Sequence, residues 1–434
     1  MAAQLYKTES GRLFHAGSVA IITVGYLPAR GKTHVSRSLC RYLDWVGVTT
    51  QVFSVGVYRR KHMGNNVEST TFDPENAEGV AQRLKYADLC FAEMVEWLKA
   101  GKGQVAIFDG NNATEARRKS LYDRLLEDDI HPLFIESICD KQEIVLANIR
   151  NVKVLSPDYI GWEADDVVQD YKKRIEQQES VYETIADTKL PFVKLINVGE
   201  RLIVNKVQGY LQSRIVYYLM NLHNQPRTVY FAREGKSLDE QLYKKDADLS
   251  PEGLQYAERL EKFLLDYRAK RALATTTEME EKTLSVWTST QKKGRQTAAV
   301  FIQDHVAVRN YSVLNQLNPG VLDGLTPEQV NEKYPDEVNR AKAEPYRYRF
   351  PRAESYHDLA VRLEAVIMEL EREKNDVLII AHETVLRCLY AYFFDLPETD
   401  IPSLKIPRKN VIAVTPSAYG CKEEVLSICT DAEK

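Results

Sequence analysis

The first half of the chain alternates short, nearly unbroken apolar runs with longer stretches whose apolar residues recur at helical spacing. The runs SVAIITVG (18–25), TTQVFSVG (49–56), QVAIFDG (104–110), PLFIESICD (132–140) and FVKLINVG (192–199) predict strands. Continuous apolarity of this kind marks parallel strands buried on both faces. Between them, HVSRSLCRYLDWVG and AEGVAQRLKYADLCFAEMVEWLKAG predict helices, the second stopped at Gly101. Glycine there accepts the backbone conformation that closes a helix. Strand–helix alternation predicts a doubly wound α/β domain with a mostly parallel sheet.

A second alternating series follows QSRIVYYLMNLHNQPR (212–227). TVYFAR (228–233), LSVWTST (284–290), VLIIAH (377–382) and NVIAVTP (410–416) predict strands. Ser250-Pro251 places a cap and a first-turn proline before a helical pattern. Thr326 to Gln329 fits a capping box, and YHDLAVRLEAVIMELEREK has helical periodicity. The boundary between the two series falls near 223–227, giving expected domains over 17–223 and 224–430. A chain of 434 residues is long enough for two cores.

Charge adds little: a net −4 gives no reason to expect nucleic acid or an anionic membrane as partner. No apolar run reaches membrane-spanning length, and the first residues lack the apolar block of a signal peptide. The six cysteines are scattered without a C-x-x-C pair, which points to reduced thiols and not to a disulfide framework or zinc site. A cytoplasmic enzyme is the expectation.

The chemistry begins at VGYLPARGKT (24–33), between the first strand and first helix. A phosphate-binding loop needs this context, because its backbone N–H groups and a helix N-terminus must face an anion. Lys32 would reach the terminal phosphates and the Thr33 hydroxyl would ligate Mg²⁺. The strict spacing is broken, since Tyr26 holds the place of the first glycine and Gly25 lies one residue early. The plainer reading is a turn that contains Gly-Lys-Thr. Asp109, ending an apolar strand, is a second element that can hold Mg²⁺ near phosphates. Cations for an acceptor could come from Arg59, Arg60, Arg83, Arg117, Arg118, Lys153 and Arg174.

At this point the segments LPARGKT, RYLDWVGVTTQVFSVGVYRR, SPDY, QSRIVYYLMNLHNQPRT, ESYHDLAVRLEAVIMELE, VLRCLYAYF and TPSAYGC together resemble the 6-phosphofructo-2-kinase/fructose-2,6-bisphosphatase family. The resemblance runs in order from about residue 17 to 430. It implies an N-terminal P-loop kinase domain that moves the γ-phosphate of ATP, with Mg²⁺, to the 2-hydroxyl of fructose 6-phosphate. It also implies a C-terminal histidine-phosphatase (phosphoglycerate-mutase-like) α/β domain that removes this phosphate in bifunctional members. A homodimer through the kinase half is implied as well. By position, Lys32, Asp109 and Lys153 correspond to catalytic residues, and Thr33 and Asp109 to the metal site. Ala29, Arg30, Gly31, Lys32, Thr33, His34 and Asn148 correspond to the nucleotide site. Arg59, Arg83, Arg117, Lys153 and Arg174 match the groups around the sugar phosphate. Asn111 stands where the family has Thr, Gln178 where it has a sugar-contacting Tyr, and Glu115 where it has Arg.

The family's phosphatase needs a nucleophilic His, a second His, arginines around the phosphate and a carboxylic acid for the leaving oxygen. In TVYFAREGKS (228–237) Arg233 is retained, but Glu234 holds the nucleophile's place and Lys236 replaces a Glu. His382 is retained. The segment SLDEQLYKKDADLS is shortened and lacks another phosphate-binding arginine, Gln316 replaces the general acid, and Asn318 replaces an Asp. A carboxylate facing a phosphate dianion also meets repulsion of roughly 4 kcal/mol per unit-charge pair at ~4 Å and an effective dielectric of 20. A silent phosphatase domain is therefore expected, with Glu234 paired to Arg233 or Lys236 as an internal anion. Three readings follow: a kinase without phosphatase activity, a pseudoenzyme that binds nucleotide or sugar phosphate and regulates a partner, and a bifunctional enzyme using Glu234 as nucleophile.

Overall fold

A computed structural model describes residues 17–25, 31–64, 73–149, 157–159, 161–197, 199–223, 225, 227–244, 246–274, 282–417 and 420–428. They form two compact units, divided between His223 and Gln225. In the first, β1 (Ser18–Gly25), β2 (Thr50–Ser54), β3 (Val105–Asp109), β4 (Ile130–Ile138), β5 (Phe192–Ile196) and β6 (Arg201–Asn205) make one sheet in the order β2-β3-β1-β4-β5-β6. The first five are parallel, and β6 closes the edge antiparallel to β5. Seven helices accompany them among the described residues: α1 (Lys32–Trp45), α2 (Val55–Met63), α3 (Ala77–Lys99), α4 (Glu115–Glu127), α5 (Gln142–Asn148), α6 (Ala164–Glu179) and α7 (Tyr210–Asn221).

Every residue of β1 after Ser18 is buried, as is all of β3, which explains why these strands read as continuous apolar runs. Ile22, Val24, Phe91, Phe108 and Phe134 share one core with the inner faces of α3 and α4. Successive strands are added to opposite sides of β1, so the sheet opens a crevice at the carboxyl ends of β1 and its neighbours. The predicted strand 49–56 is shorter than expected. Val55 and Gly56 already belong to α2, because the Ser54 hydroxyl accepts the Val57 amide at 3.5 Å and caps the helix. Gly101, with φ of 64°, follows the end of α3 as predicted.

The second unit holds β7 (Val229–Arg233), β8 (Leu284–Ser289), β9 (Ala307–Tyr311), β10 (Asp376–Ala381), β11 (Asn410–Ser417) and β12 (Gly420–Ser427), in the order β12-β11-β7-β10-β8-β9. β7, β10, β8 and β9 run parallel, and β11 pairs antiparallel with β7. Its helices are α8 (Pro251–Ala274), α9 (Lys292–Ala298), α10 (Pro327–Lys333), α11 (Pro335–Ala343), α12 (Tyr356–Arg362), α13 (Glu364–Arg372) and α14 (Glu383–Phe394). The capping box at Thr326 and Gln329 is present in full. The single helix predicted over 356–374 is interrupted at Leu363 and becomes α12 and α13. The register pairs Arg233 with Ala381, so the next residues of the two central strands, Glu234 and His382, emerge side by side. No described helix is long and apolar enough to cross a membrane.

Candidate active site

Gly31 sits immediately before α1 with φ of 84°, a left-handed conformation that glycine adopts without steric cost. From it the chain enters a helix whose first N–H groups have no partner within the helix. Lys32 folds back over the end of β1, where a Cβ added to Gly25 would lie 2.2 Å from its Nζ. Room for the lysine is therefore provided by Gly25, one position before the residue the motif spacing singles out. Tyr26, Ala29 and Arg30 lie outside the described residues.

Asp109, at the end of β3, is only 6% exposed. Its Oδ2 accepts the Thr33 hydroxyl at 3.1 Å and the Ser54 hydroxyl at 3.4 Å. A carboxylate with two hydroxyls on one oxygen is a set of hard donors, which fits Mg²⁺. Ser54 was not singled out from the sequence; its place at a strand end parallel to Asp109 is the signal that could have found it. Thr23 joins the two strand ends, its Oγ1 lying 3.0 Å from both the amide and the carbonyl of Gly110. The Gly25 amide donates to the Asn111 carbonyl at 3.0 Å. The ends of β1 and β3, at Gly25 and Asp109, thus share one hydrogen-bonded base.

The arginines separate into groups. Arg59 on α2 and Arg174 on α6 are each 6% exposed. Asp158 takes Arg59 Nη2 on Oδ1 at 2.5 Å and Arg60 Nη1 on Oδ2 at 3.3 Å. Asp170 Oδ2 lies 2.8 Å from Arg174 Nε. Burial depresses the Arg59 guanidinium and Asp158 opposes this, while Arg60 and Arg174 push it further down. Arg83 is half-buried on α3, lowered by burial with Asp73 acting against it. Arg117 instead bridges two helices, donating to Asp88 of α3 at 2.8 Å beside Arg124 at 3.3 Å. Arg118 supports the backbone, giving Nη1 to the Asn112 and Ala113 carbonyls at 3.2 and 2.8 Å.

Two departures from the family pattern meet each other: Asn111 Nδ2 donates to Gln178 Oε1 at 2.8 Å. Glu115 is exposed, and its amide donates to the Glu183 carboxylate at 2.5 Å. His34 Nε2 lies 3.1 Å from the His223 carbonyl. The backbone of Asn148 ends α5, whereas its side chain and the whole of Lys153 lie outside the described residues.

In the second unit Glu234 is 3% exposed, and its Oε1 meets Lys293 Nζ at 2.7 Å. The pairing expected with Arg233 or Lys236 is not what forms. Arg233 binds Glu383 at 3.0 Å, and Lys236 turns outward to Glu252 at 3.0 Å. Lys293 was missed because it sits in the polar run QKKGR, yet it is only 7% exposed. Its ammonium also donates to Gln316 Oε1 at 2.5 Å, and Gln316 Nε2 donates to the Lys244 carbonyl at 2.8 Å. The other Glu234 oxygen, Oε2, is buried with no hydrogen-bond partner among the described residues. Burial raises the Glu234 carboxyl above its usual range, opposed by Lys293, Arg233 and Arg408.

His382 caps α14, its Nδ1 accepting the Thr384 amide at 3.3 Å, so the neutral ring carries its proton on Nε2. Burial, with Lys293, Arg233, Arg387 and Arg408 nearby, holds the imidazole well below its usual range. A folded value below the unfolded one of about 6.5 means its contribution to stability is present above that pH and lost as pH falls. Urea midpoints of the second unit are expected to drop on acidification below about pH 6.5, and His382→Gln should flatten that limb. An unchanged slope in the variant would contradict this assignment.

Comparison with known proteins agrees with both halves. Residues 6–226 match the 6-phosphofructo-2-kinase family, and residues 229–428 match branch 1 of the histidine phosphatase superfamily. The chain is 41% identical over 426 residues to 6-phosphofructo-2-kinase/fructose-2,6-bisphosphatase 3 of Homo sapiens, covering 95% of this chain and 78% of that protein. It is 40% identical over 428 residues to 6-phosphofructo-2-kinase/fructose-2,6-bisphosphatase 4 of Rattus norvegicus, covering 97% and 87%. The solved alpha-ribazole phosphatase from Shigella flexneri is 18% identical, with a TM-score of 0.39 over 48% of this chain and 100% of that one. With one family match on each unit, in chain order, and relatives aligned across nearly its whole length, the chain belongs to the 6-phosphofructo-2-kinase/fructose-2,6-bisphosphatase family.

Proposed function

We propose that this member is a 6-phosphofructo-2-kinase whose fructose-2,6-bisphosphatase activity is lost, acting in the cytoplasm as a homodimer through its first unit. Lys32 neutralises charge on the transferring phosphoryl group. Thr33 and Asp109 hold Mg²⁺, which when bound with ATP supplies charge neutralisation across the phosphates. Gly31, His34 and Asn148, with Ala29 and Arg30, serve the nucleotide. Arg59, Arg83 and Arg174, with Lys153, hold fructose 6-phosphate. Arg117 joins them, its Nη1 held by Asp88 as Arg59 and Arg174 are held by Asp158 and Asp170. The Asn111–Gln178 bond keeps amide groups, able to donate and accept, where the family has Thr and Tyr.

The observation that carries the loss of phosphatase activity is the Glu234–Lys293 pair at 2.7 Å. It puts a carboxylate in the nucleophile's place and binds that carboxylate internally. Gln316 has no titratable proton for a leaving oxygen, and such general acid catalysis is typically worth about 10²–10⁴-fold. A neighbouring cavity of about 530 Å³ is lined by Asp246, Asp323 and Lys244, and that lysine is itself paired with Asp239. Two carboxylates against one committed ammonium disfavour a bisphosphate.

One purified-protein assay run in both directions tests the proposal. Fructose 2,6-bisphosphate is expected to accumulate only when ATP, Mg²⁺ and fructose 6-phosphate are all present. Added fructose 2,6-bisphosphate should persist, and its hydrolysis by the pure protein would refute the claimed loss.

A further inference from the structure

Arg59 and Arg174 come from two helices far apart in sequence, yet both are buried and close enough for Arg174 to push the Arg59 guanidinium down. Buried cations are tolerated only when anions compensate them. Here Asp158 and Asp170 compensate them, and one short 3₁₀ turn, Pro157–Tyr159, touches both pairs. Asp158 faces one way and bridges Arg59 and Arg60. Tyr159, 2% exposed, faces the other: its hydroxyl donates to Asp170 Oδ2 at 2.7 Å, the oxygen that lies against Arg174 Nε. Its ring lies 5.1 Å from the Arg174 Cζ, within cation–π range. Tyr171 and Trp162 pack against the same ring at 6.0 and 5.5 Å. One turn therefore aims both guanidiniums.

We propose that Asp158, Tyr159 and Asp170 are positioning residues of the acceptor-phosphate site, holding Arg59 and Arg174 in the orientation that grips the phosphate of the sugar. The proposal rests on the reading of the chain as a kinase for fructose 6-phosphate. A planar guanidinium must be aimed to bind phosphate through two parallel N–H donors, and an aimed one loses less freedom on binding. Asp158 meets Arg59 through Nη2, one of three nitrogens in the fork. The acid thereby fixes the plane of the group from one edge. It sets acceptor affinity and leaves the nucleotide, held by the loop after β1, untouched.

The test combines calorimetric binding of fructose 6-phosphate with steady-state kinetics for wild type, Asp158→Asn, Asp158→Glu and Tyr159→Phe. Asp158→Asn is expected to raise both Kd and KM for fructose 6-phosphate by about tenfold, the scale of one charge-assisted hydrogen bond. The KM for ATP and kcat should stay within about twofold, the signature of lost uniform binding. Tyr159→Phe keeps the ring and should give a smaller rise of the same kind, so the test survives if Asp158→Asn folds poorly. Asp158→Glu should recover part of the affinity. Unchanged or tighter binding in Asp158→Asn, or equal losses for both substrates, would overturn the proposal. Wild-type protein that bound no fructose 6-phosphate would instead overturn the kinase reading on which it rests.

Discussion

Lys32→Ala is expected to lower kcat for fructose 6-phosphate phosphorylation by about 10²–10³-fold while the protein stays folded, the usual cost of removing one preorganised group from developing charge. The lysine lies over Gly25 at the carboxyl end of a buried strand, beside the N-terminus of α1. Phosphoryl transfer is largely positioning and charge neutralisation, so a missing ammonium is felt in the transition state more than in binding. Lys32→Arg should not rescue the loss, because the lysine packs directly against Gly25 and a broad planar guanidinium does not substitute there for a compact ammonium. A coupled assay reads the rate, and thermal unfolding shows whether the fold is kept. Turnover within threefold of wild type would remove Lys32 from the mechanism.

The largest stability effect is expected at Lys293. Its replacement by Met leaves Glu234 buried and uncompensated, and breaking a buried pair from one side costs about 3–5 kcal/mol. Glu234 has a folded pKa already raised by burial, so its ionised form opposes folding. Stability tied to it is full below the unfolded value of about 4.3 and falls as pH rises through the folded one. The Lys293→Met loss should accordingly be large near pH 7.5 and shrink toward pH 5. Hydrogen-exchange protection of β7 and β10 reports it directly, since Glu234 and His382 follow immediately on these strands. The double variant Lys293→Met/Glu234→Leu is expected to recover most of the loss, as apolar replacements of buried pairs often do. If the double variant were as unstable as the single one, the pair would not be the cause.

The legible parts of the fold were those where burial leaves a mark on every residue. β1 and β3 are buried along their length and announced themselves as apolar runs. The strands that went unpredicted, β6, β9 and β12, lie at sheet edges and are largely exposed. AVRNY and GCKEEVLS carry no apolar run, and RLIVN holds only the three residues LIV, because one side of each strand faces solvent. At the candidate sites, Lys32, Thr33 and Asp109 could be singled out because the chemistry expected of them is local to a strand end or helix start, and the structure brings Thr33 and Asp109 together. Lys293 and Asp158 were not, since each acquires its role from a partner far along the chain: Glu234 for one and Arg59 for the other. A lysine in a polar run looks like surface until the fold buries it.

The Glu234–Lys293 pair also bears on how readily either of its positions could accept a change. Replacing Glu234 by histidine alone would leave the Lys293 ammonium without its carboxylate, at 7% exposure. Changing Lys293 first would strand the carboxylate instead. Either first step passes through a destabilised protein. The pair therefore works as a lock: each half makes a change at the other deleterious, so the two positions are expected to change together or not at all.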